Sequence, residues 1–220
     1  MQVKIYSELN QDLKKLWIEL EKHAVMTPFQ SFEWVNKWQM NIGDPLLSID
    51  LHIVHIAINE QTLAILPLGV RKRLGIRILE WLGGEQSDYM MPLINPKNIS
   101  NEINFIGIWK KIMQSLPPID VVHLKKQMEN IGKYPNPFVS EMKVFIQERS
   151  YSTALVDSWE KYYKRKISKK QRADSRRQLR RLKDIDKVEF IIADNIDAKK
   201  NIVSKMVRQK SRRFKESGYM

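Results

Sequence analysis

The sequence predicts a mixed α/β protein, and three observations carry that reading. Runs that alternate apolar and polar residues, such as SIDLHIVHIAI (48–58), interleave with runs whose apolar residues recur at helical spacing, such as ELNQDLKKLWIELEKHA (8–24). Turn chemistry separates them: Asn59-Glu60-Gln61, Gly83-Gly84 and Pro117-Pro118. A hydrophobic content of 43% with six Trp supplies a packed core, and 220 residues suffice for one large domain or two small ones.

Taken in order, VKIY (3–6) reads as a short strand. Leu9, Leu13, Leu16, Trp17 and Leu20 then mark one face of a helix. TPFQ breaks it, and Ser31 caps a second helix with Trp34, Val35 and Trp38 on one side. Strands are expected at 48–58, 62–73, 75–84 and 91–96, with Pro67 placing an edge or bulge in the second. A helix at 101–116 ends at Pro117-Pro118, and strands are expected at 119–124, 141–149 and 151–156. Ser168 and Gln171 form a capping-box pattern at the start of a basic helix over 169–184. KVEFII (187–192) reads as a strand, and a final helix turns Ile202, Val203, Met206 and Val207 inward before Gly218, though a second unit short of strands is expected to leave that face partly uncovered.

Composition narrows the function. No run approaches 18 apolar residues, so no transmembrane segment is expected, and the start of the chain lacks the apolar core of a secretory signal. With no cysteine, disulfides and thiolate metal sites are excluded, and the expected compartment is the cytoplasm. Net charge is +13, but residues 1–160 carry 17 basic and 18 acidic side chains while 161–220 carry 21 basic and 7 acidic. That asymmetry predicts two units, 1–150 and 151–220. The stretch KYYKRKISKKQRADSRRQLRRLKD (161–184) has 12 Lys or Arg among 24 residues. Its bland reading is a solvated helix face. Its functional reading is a weak, sequence-indifferent contact with an anion such as RNA, DNA or a phospholipid headgroup. Lys169, Arg172, Arg176, Arg177, Arg180 and Arg181 are the anion-binding candidates.

Signatures of other chemistries are missing. His52 and His55, three apart in an alternating strand, point to opposite faces, and no metal site is expected. Neither a G-x-S-x-G elbow nor a G-x-x-x-x-G-K-[ST] loop occurs. Ser87-Asp88-Tyr89, at a strand end after Gly83-Gly84, has two readings: a loop fixed by Asx-type hydrogen bonds, or a wall of a substrate cleft.

Three stretches in a fixed order, TPFQSFEWVNKW, ILPLGVRKRLGIRILEWLGGEQSDYMMPLI and WEKYYKRKISKKQRADSRRQLRRLKDIDKVEF, resemble a known family. They look like the GNAT-superfamily acyltransferases described as cellulose- or exopolysaccharide-biosynthesis acetyltransferases, the CelD-like group, and more distantly the Fem-type aminoacyltransferases. The resemblance implies a GNAT-like mixed sheet flanked by helices, then the opening strand and helices of a second GNAT-like unit. It implies transfer of an acyl group from acetyl-CoA or another acyl-CoA to an amine or hydroxyl, on a small molecule or a glycan precursor. Members bind the CoA pyrophosphate in an R/Q-x-x-G-x-G/A turn ahead of a helix. Lys72-Arg73-Leu74-Gly75-Ile76-Arg77 fails that pattern at its first and last places, and no glycine lies between Gly132 and Gly218. The expectation is therefore a C-terminally truncated chain, inactive alone, with catalytic residues unassigned and Ser87, Asp88 and Tyr89 as the one transferable cleft element. The rival expectation is a non-enzymatic module that binds RNA or an anionic surface through the basic helix.

Overall fold

The computed structural model describes residues 1–96, 104–145 and 153–218. It divides into two compact units, Met1–Glu148 and Arg149–Met220.

The first unit is a mixed α/β fold. It opens with β1 (Gln2–Tyr6), α1 (Gln11–Glu21), a 3-10 turn at Pro28–Gln30 and α2 (Phe32–Trp38). Five strands follow: β2 (Ile49–Leu51), β3 (Ile53–Ile58), β4 (Gln61–Leu66), β5 (Leu68–Arg73) and β6 (Ile76–Trp81). After a 3-10 turn at Gly84–Gln86 come β7 (Leu93–Ile94), α3 (Phe105–Ser115), β8 (Val121–Val122), the hairpin β9 (Asn130–Ile131) and β10 (Tyr134–Pro135), and α4 (Pro137–Ser140). The helices start where short polar side chains satisfy orphan amides. Asn10 accepts from the Leu13 amide at 3.0 Å, Ser31 from Trp34 at 3.2 Å, and Asn104 from Gly107 at 2.8 Å. Asn59-Glu60 and Leu74-Gly75 each turn a hairpin in two residues with positive φ at both positions.

Two four-stranded sheets form, in the orders β1-β3-β4-β7 and β2-β5-β6-β8. The runs expected as single strands at 48–58 and 62–73 each divide between them, at His52 and at Pro67. Pro67 lies at neither an edge nor a bulge. It has no N–H to give a ladder, so the chain leaves one sheet there and enters the other. The junction is tied by the His52 amide on the Leu68 carbonyl (3.0 Å) and the Leu82 amide on the Pro67 carbonyl (2.8 Å). The bulge falls instead at Ile56/Ala57. All ladders are antiparallel except β6 with β8, which run parallel and are joined in sequence through α3.

Side-chain alternation sorts residues into two cores. Ile53 and Ile65 join Leu13, Trp17, Phe32, Val35 and Trp38 from α1 and α2. Val54, Ala64, Leu66, Leu79 and Trp81 face the other way, onto Ile108 and Ile112 of α3 and Phe138 of α4. α1 and α2 thus pack on one core and α3 and α4 on the other, while β8 of the second sheet stays exposed.

The second unit contains α5 (Trp159–Lys166), α6 (Lys169–Ile185) and α7 (Ile196–Glu216). Ser158, Ser168 and Asn195 cap them, Ser168 with Gln171 in a reciprocal capping box. None of the three helices has a buried residue, and the face of Ile202, Val203, Met206 and Val207, expected to be partly uncovered, is about half exposed. The strands expected at 151–156 and 187–192 do not form: 153–156 and 187–192 are irregular, and 151–152 lie outside the described residues. A strand needs a neighbour for its backbone groups, and no described strand pairs with either stretch. Of the strand expected at 141–149, residues 141–145 are irregular and 146–149 lie outside the described residues.

Candidate functional site

In open sheets ligands bind beyond the carboxyl ends of strands, where a crossover separates the neighbours. The pair β6/β8 provides such an end. A crevice of about 180 Å³ opens there, bounded among others by Arg71, Glu80, Trp81, Glu85, His123 and Lys125. Ordinary ligand pockets hold roughly 300–1,000 Å³, so this one suits one end of a ligand and not a whole nucleotide cofactor.

Arg71 on β5 and Glu80 on β6 meet across the ladder. Arg71 Nη2 donates to Glu80 Oε2 at 3.2 Å, and Nε lies 3.2 Å from Oε1. The carboxyl is buried, and burial raises its affinity for a proton. Arg71, and more weakly Lys125 and His123, oppose that shift without cancelling it. Glu85 is the converse. It is exposed, and hydrogen bonds from Lys125 and Lys126 hold its carboxyl well below the ordinary range. The two carboxylates at the crevice are therefore shifted in opposite directions, Glu80 upward by burial and Glu85 downward by its lysine partners. Trp81 adds an indole N–H that is buried without a partner. Its ring is held edge-on by Phe138 at 5.3 Å, and Phe138 in turn meets Phe105 and Trp109.

The loop beyond β6 is fastened from α2 and the turn before it. Trp34 Nε1 donates to Ser87 Oγ (2.9 Å), Trp38 Nε1 to Gln86 Oε1 (3.0 Å) and Gln30 Nε2 to the Tyr89 carbonyl (2.7 Å). Two of the stretches that carry the resemblance thus touch each other. Ser87 is fully buried, donates to the Gly83 carbonyl and takes a Lys126 ammonium on its own carbonyl. It is a clamp for the loop and presents no surface to a ligand. Asp88 is exposed and Tyr89 half-buried on the same loop. The residues the sequence did not single out are Arg71, Glu80, His123 and Lys125. One signal for them existed: Glu80 interrupts the apolar run ILEWL at a position that β6 buries.

The candidate anion ligands lie on α6. Arg172 turns back to donate to the carbonyls of Lys164 (2.9 Å) and Ile167, closing the end of α5. Arg177 pairs with Asp174 at 3.1 Å. Lys169, Arg176, Arg180 and Arg181 are exposed.

The residues present do not form a cradle for a CoA pyrophosphate at either place the sequence offered. Lys72–Arg77 is the β5–β6 hairpin, with Leu74 and Gly75 at its tip. At Gly83-Gly84 the space a phosphate needs is filled. A Cβ on Gly83 would stand 2.2 Å from Ser87 Oγ, and one on Gly84 2.8 Å from the Trp38 ring. Among the described residues no group of three His, Asp or Glu could hold a metal ion, and no helix is long and apolar enough to cross a membrane. Comparison with protein families, with curated proteins and with solved structures finds no match to this chain.

Proposed function

We propose that this chain supplies the acceptor-binding part of an acyl-CoA-dependent acyltransferase, with the β6/β8 crevice receiving an amine or hydroxyl of a small molecule or glycan precursor. The observation that carries the reading is Glu80: a carboxyl buried at a strand end, with raised proton affinity, steered by a two-point contact to Arg71. Such a group can take the proton that an ammonium or hydroxyl loses on becoming a nucleophile. Holding the acceptor close to that base is the other demand of acyl transfer. His123 and Lys125 add donors for neighbouring oxygens, and the size of the crevice fits a single sugar-sized end. The resemblance and the mixed sheet support the same class. Neither of the two loops considered above offers the CoA pyrophosphate a cradle, so acetyl-CoA is expected to bind no tighter than roughly millimolar, about −4 kcal/mol.

Calorimetric titration tests the reading. Glucosamine should bind weakly, lose its heat signal in Arg71→Ala and outcompete N-acetylglucosamine, whose nitrogen is already acylated. Micromolar binding of acetyl-CoA, or glucosamine binding indifferent to Arg71→Ala, would count against it. A second reading, a module binding RNA or an anionic surface, is favoured by the exposed Lys169, Arg176, Arg180 and Arg181 on α6.

A further inference from the structure

The second unit carries an amphipathic surface, on α7. On α7, Ile196, Ile202, Val203, Met206, Val207 and Phe214 are between 41% and 63% exposed. At 100° per residue they share one arc of the helix. Lys200, Lys205, Arg208, Arg212 and Lys215 occupy the rest, and Lys199, Lys210 and Arg213 stand along the apolar side, where long stems let the charge reach outward. The helix holds eight basic residues against two acidic, Asp197 and Glu216. Just before it, Phe190, Ile191 and Ile192 are exposed as well, Phe190 at 91%.

From these features we infer that α7 docks in the plane of an anionic lipid bilayer, its apolar arc at the acyl boundary and its cations among the headgroups. Charge and apolarity together select this occupant. A nucleic acid would neutralise the cations but leave the apolar arc in water. A second copy would cover the arc but bring two strongly basic helices together. A bilayer of anionic lipid covers the apolar side and neutralises the cations at once. The surface is an interfacial one, since no described helix is apolar enough to span a membrane.

The test is cosedimentation of the full chain with vesicles of equal parts phosphatidylcholine and phosphatidylglycerol, against phosphatidylcholine alone. Binding should favour the anionic vesicles by about tenfold or more and weaken with salt. The double variant Val203→Glu, Met206→Glu should reduce it by at least about tenfold, while Val203→Ile, Met206→Leu retains it. Far-UV circular dichroism on both variants separates lost docking from lost helix. Equal binding by the Glu variant overturns the inference, because charge alone would then suffice. So does a dimer that Met206→Glu dissociates in a chain that ignores vesicles, which assigns the face to a second copy. RNA binding that survives the Glu variant, with no vesicle binding, overturns it in favour of nucleic acid.

Discussion

At the scale of single residues, the crevice is governed by groups whose environment contradicts their chemistry. Glu80 is a carboxyl whose burial favours the neutral form, so folding binds its proton more tightly than the unfolded chain does. The folded state then holds more proton than the unfolded one between the ordinary value of 4.5 and the raised value. Its contribution to stability is therefore fully present below 4.5 and is lost as pH rises through the folded value. Glu85 and Asp120, held low by Lys125 and Arg77, act in the opposite sense: their contributions are lost as pH falls through their folded values, below the ordinary carboxylate range. Urea midpoints measured across pH for the wild type and for Glu80→Gln isolate the first term. The difference between the two proteins should change only above 4.5, and a difference flat in pH would mean Glu80 is ionised in both states alike. Ser87 offers a second test. Ser87→Ala leaves the Trp34 indole N–H without its acceptor, which costs ~1–3 kcal/mol when the donor stays buried, and should lower the urea midpoint while leaving helix content intact.

At the scale of elements, α1 and α2 contrast with α7. Trp38 is buried on α2 and donates to Gln86, so Trp38→Ala should cost ~3–5 kcal/mol. Val203 on α7 lies more than half exposed, and Val203→Ser should stay within about 0.5 kcal/mol; equal losses at the two positions, read by guanidinium unfolding, would contradict the assigned burial. The same contrast explains what the sequence disclosed. Periodicity located α1, α2, α3, α6 and α7, and capping chemistry fixed Ser31 and Ser168, because these are local effects. It could not tell that the apolar stripe of α7 stays largely exposed, nor that 187–192 pairs with no described strand, since both depend on what stands alongside. Pro67 was legible as a break, but only the second sheet shows that the break is a passage between sheets. Near the site, the neighbours of Ser87 in sequence offered it as a loop clamp or a cleft wall and the structure buries it as a clamp, whereas the Arg71–Glu80 pair is made by cross-strand register, and His123 joins it only through the crossover.

At the scale of the whole molecule, the two units differ in how they are held. The first has two apolar cores on opposite faces of its sheets, while α5, α6 and α7 bury no residue. Native-state hydrogen exchange should therefore show amides of β3 and β4 protected far more strongly than those of α6 and α7; uniform protection would indicate that the helices are covered in solution. On the proposed function, the crevice at the ends of β6 and β8 receives an acceptor beside Glu80. Trp81 gives it a direct probe, because its indole N–H has no partner and its residue bounds the crevice. The decisive measurement is a titration of indole-¹⁵N-labelled chain with glucosamine, reading the Trp81 Nε1 resonance beside those of Trp17 and Trp109. Trp81 should shift saturably while the other two stay in place, and Arg71→Ala should abolish the shift. A Trp81 signal that stays fixed while glucosamine is raised to tens of millimolar would contradict it.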